Sequence, residues 1–189
     1  MTLVDRRGSL HYLETMLSKN LQVIRRLSLF FLVAAAIPAF AQTDIKAIVL
    51  KHLKTSREFS LKVAEQMPEA SYNFKLTPPQ MSFAEQMVHL SQSMAAVLAP
   101  FSGGRPNMAK AASMDKKDIL AFMQKSYDGA IDQVSKLTPD QLSKTYSGGE
   151  GTMTGVEILM FVLDHSTHHR ASAEMYLRAK GITPAEYEF

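Results

Sequence analysis

The chain has 189 residues, with 21 Lys and Arg against 18 Asp and Glu and a formal net charge of +3. It has no cysteine, which excludes disulfides and thiolate metal ligands, so a transition-metal site must draw on His, Asp or Glu. Five of the basic and two of the acidic residues lie in the first 41 positions; residues 42–189 balance at sixteen of each, which disfavours a nucleic-acid partner.

The N-terminal segment reads as an export signal. Arg25 and Arg26 precede an apolar run from Leu27 to Phe40, broken only by Ser28 and Pro38. The run closes with Ala39-Phe40-Ala41, the small-x-small pattern of a signal-peptidase site. Residues 1–41 are therefore expected to be a signal peptide cleaved after Ala41, leaving Gln42 as the mature N-terminus of a periplasmic or secreted protein. A spanning helix needs about 20 apolar residues, so no stable membrane anchor is expected after cleavage. Asp5, Arg6, Arg7 and Glu14 lengthen the leader unusually, and Met16 is an alternative start.

Residues 42–189 suit one domain with one core. No β-alternation or internal repeat is evident, and four helices can be placed from caps and periodicity. The first runs from about Asp44 to Met67, with Ile45, Ile48, Val49, Phe59, Val63 and Met67 on one stripe, and ends at Pro68. A linker, Glu69 to Met81, contains Thr77-Pro78-Pro79 and cannot continue the helix. Ser82-Phe83-Ala84-Glu85 is a capping box that opens a second helix to about Leu98.

Pro100 and the Gly103-Gly104-Arg105-Pro106 turn close that helix. Asp115 is the expected N-cap of the third, which carries Ile119, Phe122, Met123, Ile131 and Val134 to about Leu137. Thr138-Pro139 interrupts the pattern, and a glycine-rich loop follows at Ser147 to Gly151. Thr154-Gly155-Val156-Glu157 is a second capping box; its helix should reach about Lys180, where Gly181 and Pro184 stop it. Four such helices predict an all-α four-helix bundle. Several of the twelve methionines fall at core positions, where their flexible thioethers fill gaps.

Three histidines carry the chemistry. His165 and His169 stand four residues apart on the last helix and project from one face, so both rings can reach one ion. His168 is three residues from His165 and is an alternative partner. His89 lies alone on the second helix, one turn after Glu85. Ordinary hydrogen-bonded imidazoles explain the spacing equally well, because the pair lacks the glutamate of the zinc-protease HExxH motif. Arg170 and Glu174 are expected to form a solvated i,i+4 ion pair.

Three stretches resemble the DinB/YfiT-like family of metalloenzymes. They are Met67-Pro68-Glu69 through Tyr72-Asn73-Phe74-Lys75, then Met81 to Leu90 around His89. The third is Asp164-His165 to His169-Arg170 with the tail Tyr176 to Pro184. The resemblance implies a four-helix bundle binding a metal through His89, His165 and His169, with His168 as a flanking residue. Ala171-Ser172 departs from the Gly-Gln common in the family, which leaves the ligands intact but puts a role for that Gln in doubt.

Neutral imidazoles favour zinc, nickel, copper or ferrous iron over magnesium or calcium, and the expected cofactor is a divalent transition metal, zinc or nickel first. The resemblance implies a metal-dependent hydrolase or thiol transferase acting on a small molecule. Glu85 is the first candidate for a catalytic base or orienting group, against its simpler role in the capping box; Asp164 and Tyr127 are further candidates. The rival expectation is a non-catalytic metal-binding or structural bundle, with the ion closed off by His52 or Glu85. An exposed helix face could pair two copies as a homodimer.

Overall fold

The computed structural model describes residues 37–104, 109–148 and 151–187. Most of the expected leader, residues 1–36, lies outside the described residues. The bundle is built by the compact unit Gln42–Phe189. Its elements are α1 (Ile37–Gln66), α2 (Phe83–Leu98), α3 (Lys116–Ser135), a short α4 (Pro139–Ser143), a hairpin of β1 (Thr145–Gly148) and β2 (Gly151–Thr154), and α5 (Gly155–Ala179). Short 3-10 turns, Glu69–Ser71 and Ala99–Ser102, follow α1 and α2.

Helix α1 begins seven residues before the expected Asp44, because Pro38 falls in its first turn, where a missing N–H costs nothing. Both expected capping boxes form: Ser82 and Glu85 exchange side-chain-to-backbone bonds, and so do Thr154 and Glu157. Asp115 precedes α3 without a side-chain cap bond. Lys180 closes α5, and Gly181 takes a left-handed φ of 74° as the expected stop.

Two elements depart from the sequence reading. Thr138-Pro139 does not merely break a helix; Thr138 and Gln141 form a third capping box that starts α4. The glycine-rich segment is an antiparallel hairpin, with Thr145 opposite Thr154 and Gly148 opposite Gly151. Four-residue strands rich in Gly, Ser and Thr carry too little apolar alternation to be read as β.

Long-range contacts fix the helix directions. Lys116 Nζ donates to the carbonyls of Glu65 and Met67, and Lys46 Nζ donates to that of Leu137 at 2.9 Å. Each lysine caps the C-terminal end of the opposite helix, so α1 and α3 run antiparallel. Gln86 meets His169 and Tyr176 meets the Met81 carbonyl, which makes α2 and α5 antiparallel. Gln133 Nε2 donates to Leu98 O, placing the C-terminal ends of α2 and α3 together. The connection after α2 must therefore return along the bundle, and Gln92 holds Ala109 O on that path.

The core is drawn from all four long helices: Leu53, Phe59 and Val63 of α1, Met87 and Leu90 of α2, Met123 and Tyr127 of α3, and Ile158, Val162 and Tyr176 of α5. Met67, Met87, Met94 and Met123 are buried, as the composition led us to expect. Ile48 is not: it is 54% exposed, since Val49 takes the inward position beside it. Tyr72, Phe74, Phe83 and Tyr176 stack edge to face at the end where α2 begins, which anchors the linker.

Candidate metal centre

The capping box sets the phase of α2. With Phe83, Met87 and Leu90 buried, Gln86 and His89 project together toward α5. Opposite them, Ile158, Val162, Ser166 and Ala173 bury the inner stripe of α5, and His165 and His169 stand beside it. The ring centroids lie 4.5 Å apart for His89 and His169, 4.6 Å for His165 and His169, and 5.7 Å for His89 and His165. One nitrogen from each ring falls within 4.8 Å of the other two. The i,i+4 pair and the lone histidine converge.

His169 is the most buried of the three. Burial, followed by the neighbouring rings of His89, His165 and His168, pushes its pKa down to about 4. Its Nδ1 lies 2.8 Å from Gln86 Oε1. That oxygen can only accept, so Nδ1 carries the proton and the lone pair sits on Nε2. Nε2 faces His165 Nε2 at 3.1 Å. A neutral imidazole with a fixed tautomer is the state a metal ligand requires.

Gln86 was not among the sequence candidates. It stands one turn before His89 on the same face, but no spacing rule links it to a residue 83 positions away on another helix.

The remaining candidates lie elsewhere. Glu85 is exposed and spends its carboxylate on Ser82 N, at 2.6 Å, and Lys75 Nζ, at 3.5 Å; the cap holds its pKa below the usual value. Tyr127 is buried against α1, where its hydroxyl meets Ser56 and Ser60. His52 lines a cavity between α1 and α5. His168 is exposed, with its ring centroid 5.0 Å from that of His169, and Asp164 is exposed. None of these five joins the histidine group.

His89 and His165 border a pocket of about 500 Å³ that extends toward the hairpin end of the bundle. Phe161, Val97 and Met153 supply apolar walls, and Gln92 and Ser93 supply polar groups. The hairpin is held over this region by Tyr146, which packs on Phe101 at 5.2 Å and donates to Gln141 O.

The donor set fits a divalent transition metal. It is all nitrogen, and two imidazole nitrogens each ~2.0–2.1 Å from one zinc ion stand ~2.9–3.4 Å apart at octahedral to tetrahedral angles. The Nε2 pair of His165 and His169, at 3.1 Å, falls inside that interval. Three protein ligands would leave coordination positions open toward the pocket.

Comparison with known proteins agrees with this architecture. The uncharacterised protein YjoA of Bacillus subtilis is 22% identical over 139 residues, covering 71% of this chain and 90% of YjoA. Its crystal structure superposes with a TM-score of 0.64 at 19% identity, covering 74% of this chain and 95% of that one. A DinB-like protein from Bacillus cereus gives a TM-score of 0.65 at 16% identity, with coverage of 74% and 95%. YfiT of Bacillus subtilis, described as a probable metal-dependent hydrolase with an unusual four-helix bundle topology, gives 0.57 at 15% identity, with coverage of 73% and 89%. The sequence pattern of the DinB family matches residues 42–189, and the chain belongs to that family.

Proposed function

We propose that the protein is a metal-dependent hydrolase acting on a small molecule outside the cytoplasm, with zinc or nickel held by His89, His165 and His169. The observation that carries this reading is the convergence of three imidazole donors at the border of a pocket of about 500 Å³. That volume suits a small molecule. A divalent ion held by three imidazoles supplies Lewis acidity and an acidified water near neutral pH.

The chain's own residues do the rest. Gln86 keeps the His169 proton on Nδ1, so the metal-facing nitrogen stays unprotonated. Phe161, Val97 and Met153 exclude water from one side of the pocket, which strengthens electrostatic interactions within it. Gln92 and Ser93 can orient polar groups of a substrate.

The test is elemental analysis of the purified protein beside a His165→Ala variant, followed by assays on small esters, amides and phosphoesters with and without chelator. Stoichiometric zinc or nickel in the wild type, its loss in the variant and chelator-sensitive hydrolysis are expected. Equal metal content in both would remove the basis of the proposal. Metal-dependent thiol addition without hydrolysis would move the protein to the transferases. Bound metal without activity on either panel would favour a non-catalytic bundle.

Export is the second part of the proposal and rests on the leader pattern. N-terminal sequencing of the extracytoplasmic protein should begin at Gln42; an uncleaved cytoplasmic chain would overturn it.

A further inference from the structure

Arg170 follows the metal-site histidines directly, yet its guanidinium lies in a different environment. The side chain is 5% exposed. Nη1 donates to Ser56 Oγ at 3.1 Å, and the guanidinium lies over the Phe59 ring at 4.5 Å. Nε is buried without a hydrogen-bond partner, and no carboxylate of the described residues lies within ion-pair distance. The expected ion pair with Glu174 does not form, because α5 turns Arg170 inward; Glu174 meets Arg178 instead, at 3.5 Å. A buried cation with no counter-ion is costly, and a ring face and one hydroxyl offset only part of that cost.

This cation borders a cavity of about 430 Å³ between α1 and α5. Most of its wall is apolar, with Ile45, Ile48, Met160, Leu163 and Tyr187 prominent, while Arg170 lies among the polar groups of His52, Thr55, Ser56 and Thr167. Ile48 and Met160 are 54% and 55% exposed, and both stand in this wall. The cavity shares no lining residue with the pocket beside His89 and His165.

We infer that the cavity between α1 and α5 is a second binding site, for an amphipathic carboxylate whose head pairs with Arg170. The apolar body of the ligand would cover Ile48, Met160 and Leu163. The carboxylate would supply a counter-ion that Arg170 does not find among the described residues. Neither half of the ligand suffices: a bare anion leaves the apolar wall wet, and a neutral chain leaves the guanidinium unpaired.

The experiment is calorimetric titration of the full chain with decanoate, and with decanol as its neutral analogue. It is run in parallel on His165→Ala protein, because a carboxylate can also bind a metal centre. Saturable 1:1 decanoate binding is expected in both proteins, with decanol weaker by about tenfold or more, the worth of a charge-assisted hydrogen bond. Arg170→Met should bring decanoate down to the level of decanol. Met160→Glu, at an exposed position that folding tolerates, should also weaken decanoate severalfold through like-charge repulsion and lost apolar contact. Four results would overturn the inference: no saturable decanoate binding, equal affinity for decanol, loss of binding in His165→Ala, or unchanged binding in Met160→Glu. Met160→Glu stays decisive even where Arg170→Met fails to fold.

Discussion

Gln86 on α2 and His169 on α5 meet through a 2.8 Å contact between Oε1 and Nδ1. It joins two helices across the candidate metal centre and fixes which ring nitrogen faces the other histidines. A partner of this kind contributes about 10–100-fold in metal affinity. Gln86→Leu should therefore weaken zinc binding by about that factor in a chelator competition. Gln86→Glu, which still accepts from Nδ1, should retain most of the affinity. Unchanged affinity in Gln86→Leu would show that the contact is incidental.

The lowered pKa of His169 gives the metal-free protein an acid sensitivity. An unfolded histidine takes up a proton near 6.5, while the folded ring resists until about 4. Between these values the unfolded state binds more protons, so stability falls as pH drops from 6.5 to 4. The full effect of such a shift is at most ~3 kcal/mol. Urea midpoints of the apoprotein across this window should decline, and His169→Gln should flatten the slope. Metal affinity should fall over the same range, since protons compete for the nitrogens.

Glu85 separates two readings of one carboxylate. The structure engages it with Ser82 and Lys75, which gives it a capping role. Gln satisfies a capping box as well as Glu does, so Glu85→Gln should leave thermal stability and metal content nearly unchanged. Ser82→Ala should cost ~1 kcal/mol of stability. A collapse of turnover in Glu85→Gln with metal retained would restore Glu85 as the catalytic base.

Gly155 is required by a close approach at the start of α5. A Cβ there would strike the backbone of α4, meeting Gln141 O and, at 2.7 Å, Leu142 Cα. Backbone cannot yield as a side chain does, so Gly155→Ala should destabilise by ~1–3 kcal/mol, the usual cost of overpacking. Denaturant titration measures it, and a cost below ~0.5 kcal/mol, that of a neutral surface change, would contradict the packing described.

The helices were legible because their signals are local. Ser82 with Glu85, Thr154 with Glu157, and Gly181 each act within one turn, so residue order alone marks where α2 and α5 begin and α5 ends. The i,i+4 spacing of His165 and His169 is local for the same reason. Only a resemblance placed His89 beside them, since no periodicity reaches across 76 positions of chain. The hairpin escaped notice because its short, polar strands carry little apolar alternation and are held by the packing of Tyr146 on Phe101.

Arg170 shows the boundary most sharply. Its sequence neighbourhood offers Glu174 at an ideal spacing, yet the phase of α5 turns it inward against Phe59 and Ser56. Residue order determined the helices, their caps and the shared face of two histidines, because each depends on contacts within about four residues. Tertiary packing decided the third histidine, the orienting glutamine and the burial of the arginine, because each depends on how separate helices rotate to bury their apolar stripes.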